Sequence, residues 1–313
     1  MELTSFLDNL KVIDPDINYW FVRTDSGYHF ETFYNNGFIG IGWNFIYHED
    51  LIFLSPSEVQ QKIALEKKYD LTKSRGKSKA TRDYNKLMRF HNLNKGDVVI
   101  IPSHSSSRLA FGIVADDSIY TVLDPNDDCE YLKRRKIDWV IVKPMSELES
   151  KFYEIKISQH SISQITKYAN YIDRVMSSFY FKNNTGNFVL HVNQEGNINL
   201  NDLLELMQQN NSLLQTINDF FELGENIDES SIKVNLQSKG TITFNVPGGI
   251  SLATLCLIIT LCSCGRADDT HHEVNGKPVS KFVEINKALL DSTVHSYKKN
   301  EVILDNIEND KFK

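Results

Sequence analysis

A chain of 313 residues, of which 41% are hydrophobic and 11% aromatic, can bury a sizeable core, which excludes a disordered or fibrous protein. Its net charge of −7 predicts no overall attraction to polyanions, so a nucleic-acid-binding surface would need a local concentration of positive charge. The four cysteines do not form a secreted disulfide framework and the N-terminus lacks a signal-peptide pattern, so we expect a cytoplasmic protein.

The first half of the sequence is typical of short strands separated by turns. β-Branched and aromatic residues at strand length predict strands over 18–23, 38–43, 97–101, 109–114, 119–122 and 137–142. Helices are predicted over 28–35, 57–69 and 79–90, and the last two interrupt the sheet between its second and third strands. This order favours a small mixed β-barrel capped by short helices, which we assign to residues 1–148.

Longer helices are predicted in the second half, over 158–181, 200–221, 252–262 and 279–290. Strands are predicted over 188–193 and 232–246, the second turning back at Lys239-Gly240. We therefore expect residues 149–313 to form a smaller α+β domain with an assembly or effector role, which makes the whole chain an α+β protein. Apolar residues left over on the helix over 162–181 would allow a homo-oligomer.

The longest apolar run extends from Ile250 to Cys262. Its 13 residues are fewer than the roughly 18–20 that a helix needs to cross a bilayer. We predict a buried core helix here and no membrane partner. A membrane-acting effector that inserts this run remains an alternative.

Positive charge is concentrated in the first half. Between Lys62 and Lys95, eleven lysines and arginines face three acids, a local net charge of +8, and a second basic cluster occupies 133–136. Such clusters can neutralise phosphates, although a solvated helix face is the alternative reading. The run Thr72–Lys79 is predicted to be a flexible loop that becomes ordered on a polyanion. The predicted phosphate-binding residues are Lys73, Arg75, Lys77, Lys79, Arg82, Lys86, Arg89, Arg134 and Arg135.

An ordered series of motifs runs through residues 18–145. Its members are Tyr19-Trp20-Phe21-Val22-Arg23, 37–43 (GFIGIGW), 82–102 from Arg82 through Gly96-Asp97 to Pro102, Phe111-Gly112-Ile113-Val114, and Arg134-Arg135-Lys136 with Trp139. The series resembles the EVE-like branch of the PUA superfamily, in particular the N-terminal domain found fused to Mrr-type nucleases in bacterial restriction and phage-defence proteins. The resemblance implies a small barrel whose pocket accepts an extruded, often modified, nucleobase.

A base pocket of this kind needs aromatic walls for stacking and donors for the base edge. Trp20 and Trp43 are the predicted walls, although both could be barrel core. Asn44, Ser103 and His104 are predicted to supply hydrogen bonds. Arg23 is predicted to read the base, or to pair with an acid nearby. The partner would be DNA or RNA, modified or not.

Catalytic and metal-binding patterns are weak in this sequence. Asp138 with Glu154-Ile155-Lys156 is the one tempting match to a nuclease set, but no strong strand carries Glu154. Cys262-x-Cys264 followed by His271-His272 could bind zinc, but lacks a second knuckle, so we read it as a buried helix followed by a loop. We therefore predict a non-catalytic nucleic-acid-binding protein that recognises a flipped or modified base and has no metal or cofactor. A metal-dependent Mrr-type nuclease is the main alternative.

Overall fold

The computed structural model describes residues 11–123, 129–157, 160–194, 196–237, 239–263 and 272–304. The chain divides into two compact units: a first unit, Ile17–Tyr171, and a second unit made of Met1–Asp16 and Ile172–Lys313. We had placed the boundary between residues 148 and 149. The structure keeps residues up to 171 in the first unit because a late strand, Ile162–Gln164, pairs with the first strand of that unit.

Seven strands form the sheet of the first unit. They are β1 Tyr19–Val22, β2 Phe38–Ile41, β3 Val98–Pro102, β4 Arg108–Val114, β5 Tyr120–Thr121, β6 Lys133–Pro144 and β7 Ile162–Gln164. The order is β2-β6-β4-β3-β1-β7, with β5 paired to β6, and β1 runs parallel to β3 while the other pairs are antiparallel. The sheet curls into a half-barrel. This confirms a mixed α+β fold with a curved sheet in the first unit.

Six helices belong to or begin in the first unit: α1 Phe30–Asn35, α2 His48–Phe53, α3 Pro56–Lys67, α4 Ser74–His91, α5 Lys151–Lys156 and α6 Ala169–Met176. Ser55 caps α3 by accepting from the Glu58 amide, as the Ser-Pro start predicts. The helix α4 packs on α3 and β7. Its apolar positions join Trp20, Val99 and Ile137 in one core.

Most of the basic run Thr72–Lys79, which we predicted to be a loop, belongs to α4, which begins at Ser74. Within this helix Gly76 is buried against the backbone of residue 70, and an added Cβ would lie 1.9 Å from the Asp70 carbonyl oxygen. A glycine is needed for this close approach, so it marks a packing contact rather than a flexible segment. The loop prediction was wrong.

The second unit contains a five-stranded antiparallel sheet. Its strands are β8 Phe179–Lys182, β9 Thr185–Val192, β10 Ser231–Gln237, β11 Lys239–Pro247 and β14 Val302–Ile303, in the order β10-β11-β9-β14 with β8 paired to β9. Two short strands, β12 Glu273–Val274 and β13 Lys277–Pro278, form a separate pair. The helices are α7 Leu200–Phe221, α8 Ile250–Ser263, α9 Val279–Ile285 and α10 Lys287–Lys299.

The apolar run forms α8, whose side chains from Leu252 to Ile258 are almost all buried beside the sheet. The prediction of a core helix is confirmed. Among the described helices, none combines the length and the apolar character that crossing a bilayer requires.

The prediction of a helix over 158–181 is wrong. The described part of that segment contains β7, a short 3₁₀ turn, α6 and β8. Ile162 is recruited into a strand by pairing with β1, which is distant in sequence, and Phe179 by pairing with β9, the next strand along the chain. The surface on which we based the homo-oligomer prediction is therefore absent from the described residues, and Ile162, Ile165 and Ile172 are buried.

Candidate functional site

A cavity of about 570 Å³ lies in the first unit. This volume is within the range that small-molecule sites usually have. Its walls come from the end of β1 and the turn after it, the end of β2 and the residues after it, the ends of α3 and α4, the segment before β6, and the start of β7. The lining residues are Val22, Arg23, Asp25, Ser26, Gly40, Ile41, Gly42, Trp43, Lys67, Phe90, Tyr131, Ser161 and Ile162.

Three aromatic side chains line this cavity: Trp43, Phe90 and Tyr131. The Tyr131 ring lies against Gly40, where an added Cβ would be 3.0 Å from the Tyr131 Cβ, so the glycine makes room for the tyrosine. Burial raises the pKa of Tyr131 to about 12. Its phenol therefore stays protonated at neutral pH and can donate a hydrogen bond.

Trp43 is held in place by two lysines. Lys133 Nζ donates to the Trp43 carbonyl oxygen at 2.8 Å, and Lys86 Nζ lies 5.2 Å from the centre of the indole ring. The Trp43 backbone adopts a φ of 56°, in the left-handed region that is costly for a bulky residue. Its indole Nε1 is buried and has no hydrogen-bond partner among the described residues. These features are typical of a side chain positioned for binding.

Arg23 is the second predicted pocket residue that lines the cavity. Its Nη2 donates to the Lys156 carbonyl oxygen at 2.5 Å, and its guanidinium lies 5.4 Å from the Phe21 ring centre. Lys67 adds a second, exposed cation, whereas Asp25 is the one acidic residue in the lining. The charged lining therefore carries a net positive charge.

The other four predicted pocket residues do not line the cavity. Trp20 is only 7% exposed, and its Nε1 donates to Asp97 Oδ2 at 2.9 Å, so it belongs to the core. The Asn44 side chain donates to the Glu130 carbonyl oxygen and accepts from the Leu132 amide. Ser103 accepts from the Arg108 amide within a turn, and His104 is exposed on that turn.

The predicted phosphate-binding residues fall into three groups in the structure, and the first group is buried. Arg134 and Arg135 are 3% and 2% exposed, so the prediction that they contact phosphate was wrong. Arg134 donates to the carbonyl oxygens of Tyr131 and Cys129, and Arg135 donates to those of Phe90 and His91. Both arginines therefore fix main-chain segments that carry the cavity wall.

Five cations of α4 lie on one flank of the helix: Arg75, Lys79, Arg82, Lys86 and Arg89, here called the α4 stripe. Their spacing of four and three residues aligns them along the helix for about 21 Å. The stripe ends at the cavity, because Lys86 contacts the Trp43 ring and Arg89 Nη1 donates to the carbonyl oxygen of Ile162 at 3.2 Å.

Two predicted cations stand outside the stripe. Lys73 precedes α4 and pairs with Asp70 at 3.2 Å, and Lys77 lies on the opposite flank by helical spacing. Within the stripe, the buried Asp83 carboxylate lies 3.3 Å from Lys86 and 3.9 Å from Arg82. The stripe therefore keeps an excess of positive charge.

The nuclease set is not assembled as its chemistry requires. Glu154 lies on the helix α5, where it pairs with Lys151 and accepts from the Tyr168 hydroxyl at 3.0 Å. Asp138 is exposed on β6 opposite Ile113. Of the possible zinc ligands in the second unit, Cys264 and His271 lie outside the described residues.

Sequence reasoning missed Tyr131, Phe90 and Lys67 as cavity residues. Phe90 lies within the motif over 82–102, but the sequence predicted only that it belongs to a helix. Tyr131 is brought to β2 by pairing between β2 and β6, which no local pattern shows.

Comparison with known proteins locates one family. A family model described as a domain of unknown function (DUF8426) matches residues 20–166, which lie within the first unit. No curated protein and no solved structure matches the chain.

Proposed function

We propose that the first unit is a PUA-like, EVE-like nucleic-acid-binding domain that holds an extruded or modified base in the cavity and contacts phosphates with the α4 stripe. The single observation that carries the proposal is that the α4 stripe adjoins the cavity. This row of five cations ends beside a cavity that has aromatic residues in its lining and a net positive charge among its charged lining residues. Phosphate contacts supply affinity, and the pocket supplies discrimination between bases.

The cavity chemistry suits a nucleobase. Base stacking on an aromatic side chain contributes about 1–3 kcal/mol, and the partly exposed Trp43 and Tyr131 offer faces for it. The neutral Tyr131 phenol is a donor for an acceptor on a base edge. The place of this activity in bacterial phage defence rests on the resemblance to EVE-like domains alone.

The test is a binding titration of the full chain against duplexes with and without cytosine or adenine modifications, at two salt concentrations. Trp43→Ala should weaken binding of the preferred modified duplex by about 5- to 150-fold and abolish discrimination, while the salt dependence stays unchanged. Arg75→Gln/Arg82→Gln should leave discrimination intact and reduce the slope of log K against log salt by about two.

The matched control is Lys73→Gln/Lys77→Gln, which removes the same charge from outside the stripe and should leave the slope unchanged. The proposal fails if the two double variants behave alike, or if the wild type binds no duplex at low salt. Cleavage of modified DNA with Mg²⁺ that is lost in Glu154→Ala would establish the nuclease alternative instead.

A further inference from the structure

We propose a metal site for Zn²⁺ or a similar transition metal at His29, Cys129 and Glu130, separate from the base cavity. Their potential ligand atoms, an imidazole nitrogen, a thiol sulfur and a carboxylate oxygen, all lie within 4.8 Å of one another. Thiolate, imidazole and carboxylate are the ligands that zinc uses in proteins, and three of them leave a fourth tetrahedral position for water.

His29 gives an independent reason to place a ligand here. Its side chain is 1% exposed, and neither ring nitrogen has a hydrogen-bond partner among the described residues. Its Nε2 lies 3.5 Å from Glu130 Oε2, beyond a good hydrogen bond. Buried polar atoms without partners are rare in native proteins, and a bound metal would satisfy one of these two nitrogens.

Each ligand is held by contacts that do not involve the metal. The His29 amide donates to the Thr24 carbonyl oxygen at 3.0 Å just before α1, and its ring packs on Phe33 with 5.6 Å between ring centres. The main chain of the other two ligands is fixed by Arg134, which donates to the Cys129 carbonyl oxygen, and by Asn44, which donates to that of Glu130. Such fixed ligands reduce the cost of assembling a metal site.

The site would attach the start of α1 to the segment that leads into β6. Tyr131, the next residue after Glu130, lines the base cavity, and its ring centre lies 4.6 Å from that of His29. A metal bound at this point would therefore hold one aromatic wall of the cavity in place.

The experiment uses the full chain, freed of metal by a chelator and titrated with Co²⁺, whose thiolate charge-transfer band reports a Co–S bond. The wild type should bind one Co²⁺ per chain with this band, and Zn²⁺ should displace it. Cys129→Ser should abolish the band. Glu130→Gln, at an exposed residue, should keep the band and weaken binding by about tenfold or more.

The matched control is Cys262→Ser/Cys264→Ser, which removes the thiols of the other candidate zinc ligands and should leave the band unchanged. The proposal is overturned if the wild type shows no band, if the band survives in Cys129→Ser, or if the control abolishes it. If Cys129→Ser does not fold, an unchanged affinity in Glu130→Gln overturns it equally.

Discussion

Replacing Lys133 with methionine tests how the wall behind Trp43 is built. Lys133 is 1% exposed, and burial lowers the pKa of its ammonium from 10.5 to about 8, although Asp50 nearby opposes this effect. Each pH unit corresponds to about 1.4 kcal/mol, so below pH 8 the buried charge costs the folded state about 3 kcal/mol. The hydrogen bond to the Trp43 carbonyl oxygen offsets part of that cost.

The sign of the pH dependence follows from proton counting. Between pH 8 and about 10.5 the unfolded chain keeps the Lys133 proton while the folded chain loses it, so the unfolded state binds more protons and stability rises with pH. Methionine cannot titrate. The free energy of unfolding of the wild type, relative to Lys133→Met, should therefore increase by about 2.5 kcal/mol between pH 7 and pH 10.

Urea unfolding followed by tryptophan fluorescence measures this difference. All three tryptophans, Trp20, Trp43 and Trp139, belong to the first unit, so the signal reports that unit. Lys136→Met is the matched control, because Lys136 is exposed on the same strand and its replacement should shift stability by a constant amount. A wild-type minus Lys133→Met difference that stays flat from pH 7 to pH 10 would refute the reasoning.

Three further substitutions separate packing from binding. Gly76→Ala should destabilise the first unit by about 1–3 kcal/mol in urea, because its Cβ would overlap the Asp70 carbonyl, while the exposed Ser78→Ala should not. Trp20→Phe should lower the free energy of unfolding by about 1–3 kcal/mol, because the hydrogen bond to Asp97 is lost, and should leave base discrimination unchanged. A loss of base discrimination would show that Trp20 belongs to the pocket. Leu252→Ala should destabilise the second unit by about 2–5 kcal/mol in thermal unfolding followed by circular dichroism, and an unchanged curve would contradict its place in the core.

Elements with strong local patterns could be predicted from the sequence. The helix α7 spans residues 200–221 as its periodicity indicates, and the hairpin β10–β11 turns close to Lys239-Gly240. The prediction of a helix over 158–181 failed because strand pairing decides the structure there: Ile162–Gln164 pairs with β1, far away in sequence, and Phe179–Lys182 pairs with the adjacent β9. Local propensity cannot report such partners.

The candidate site could be predicted only in part, for a related reason. Trp43 and Trp20 were both predicted as pocket walls from their positions at strand ends, but the structure places Trp20 in the core. Whether the basic cluster at 133–136 is exposed or buried depends on contacts with residues far away in sequence. Lys133, for example, contacts Trp43, which is 90 positions earlier in the chain. A run of charges predicts exposure by composition, whereas the first three residues of β6, all cations, are buried.

The burial of these three cations bears on what the cavity can bind. Lys133, Arg134 and Arg135 each donate to main-chain carbonyl oxygens, and the acceptors include those of Trp43, Tyr131 and Phe90, the three aromatic residues of the lining. Charges buried without such partners would be too costly to retain. The same interactions keep positive charge close to the main chain of each of these three residues. On the proposed function, we expect the cavity to prefer an electron-rich or anionic group over a cation, and the α4 stripe to extend that preference along the helix.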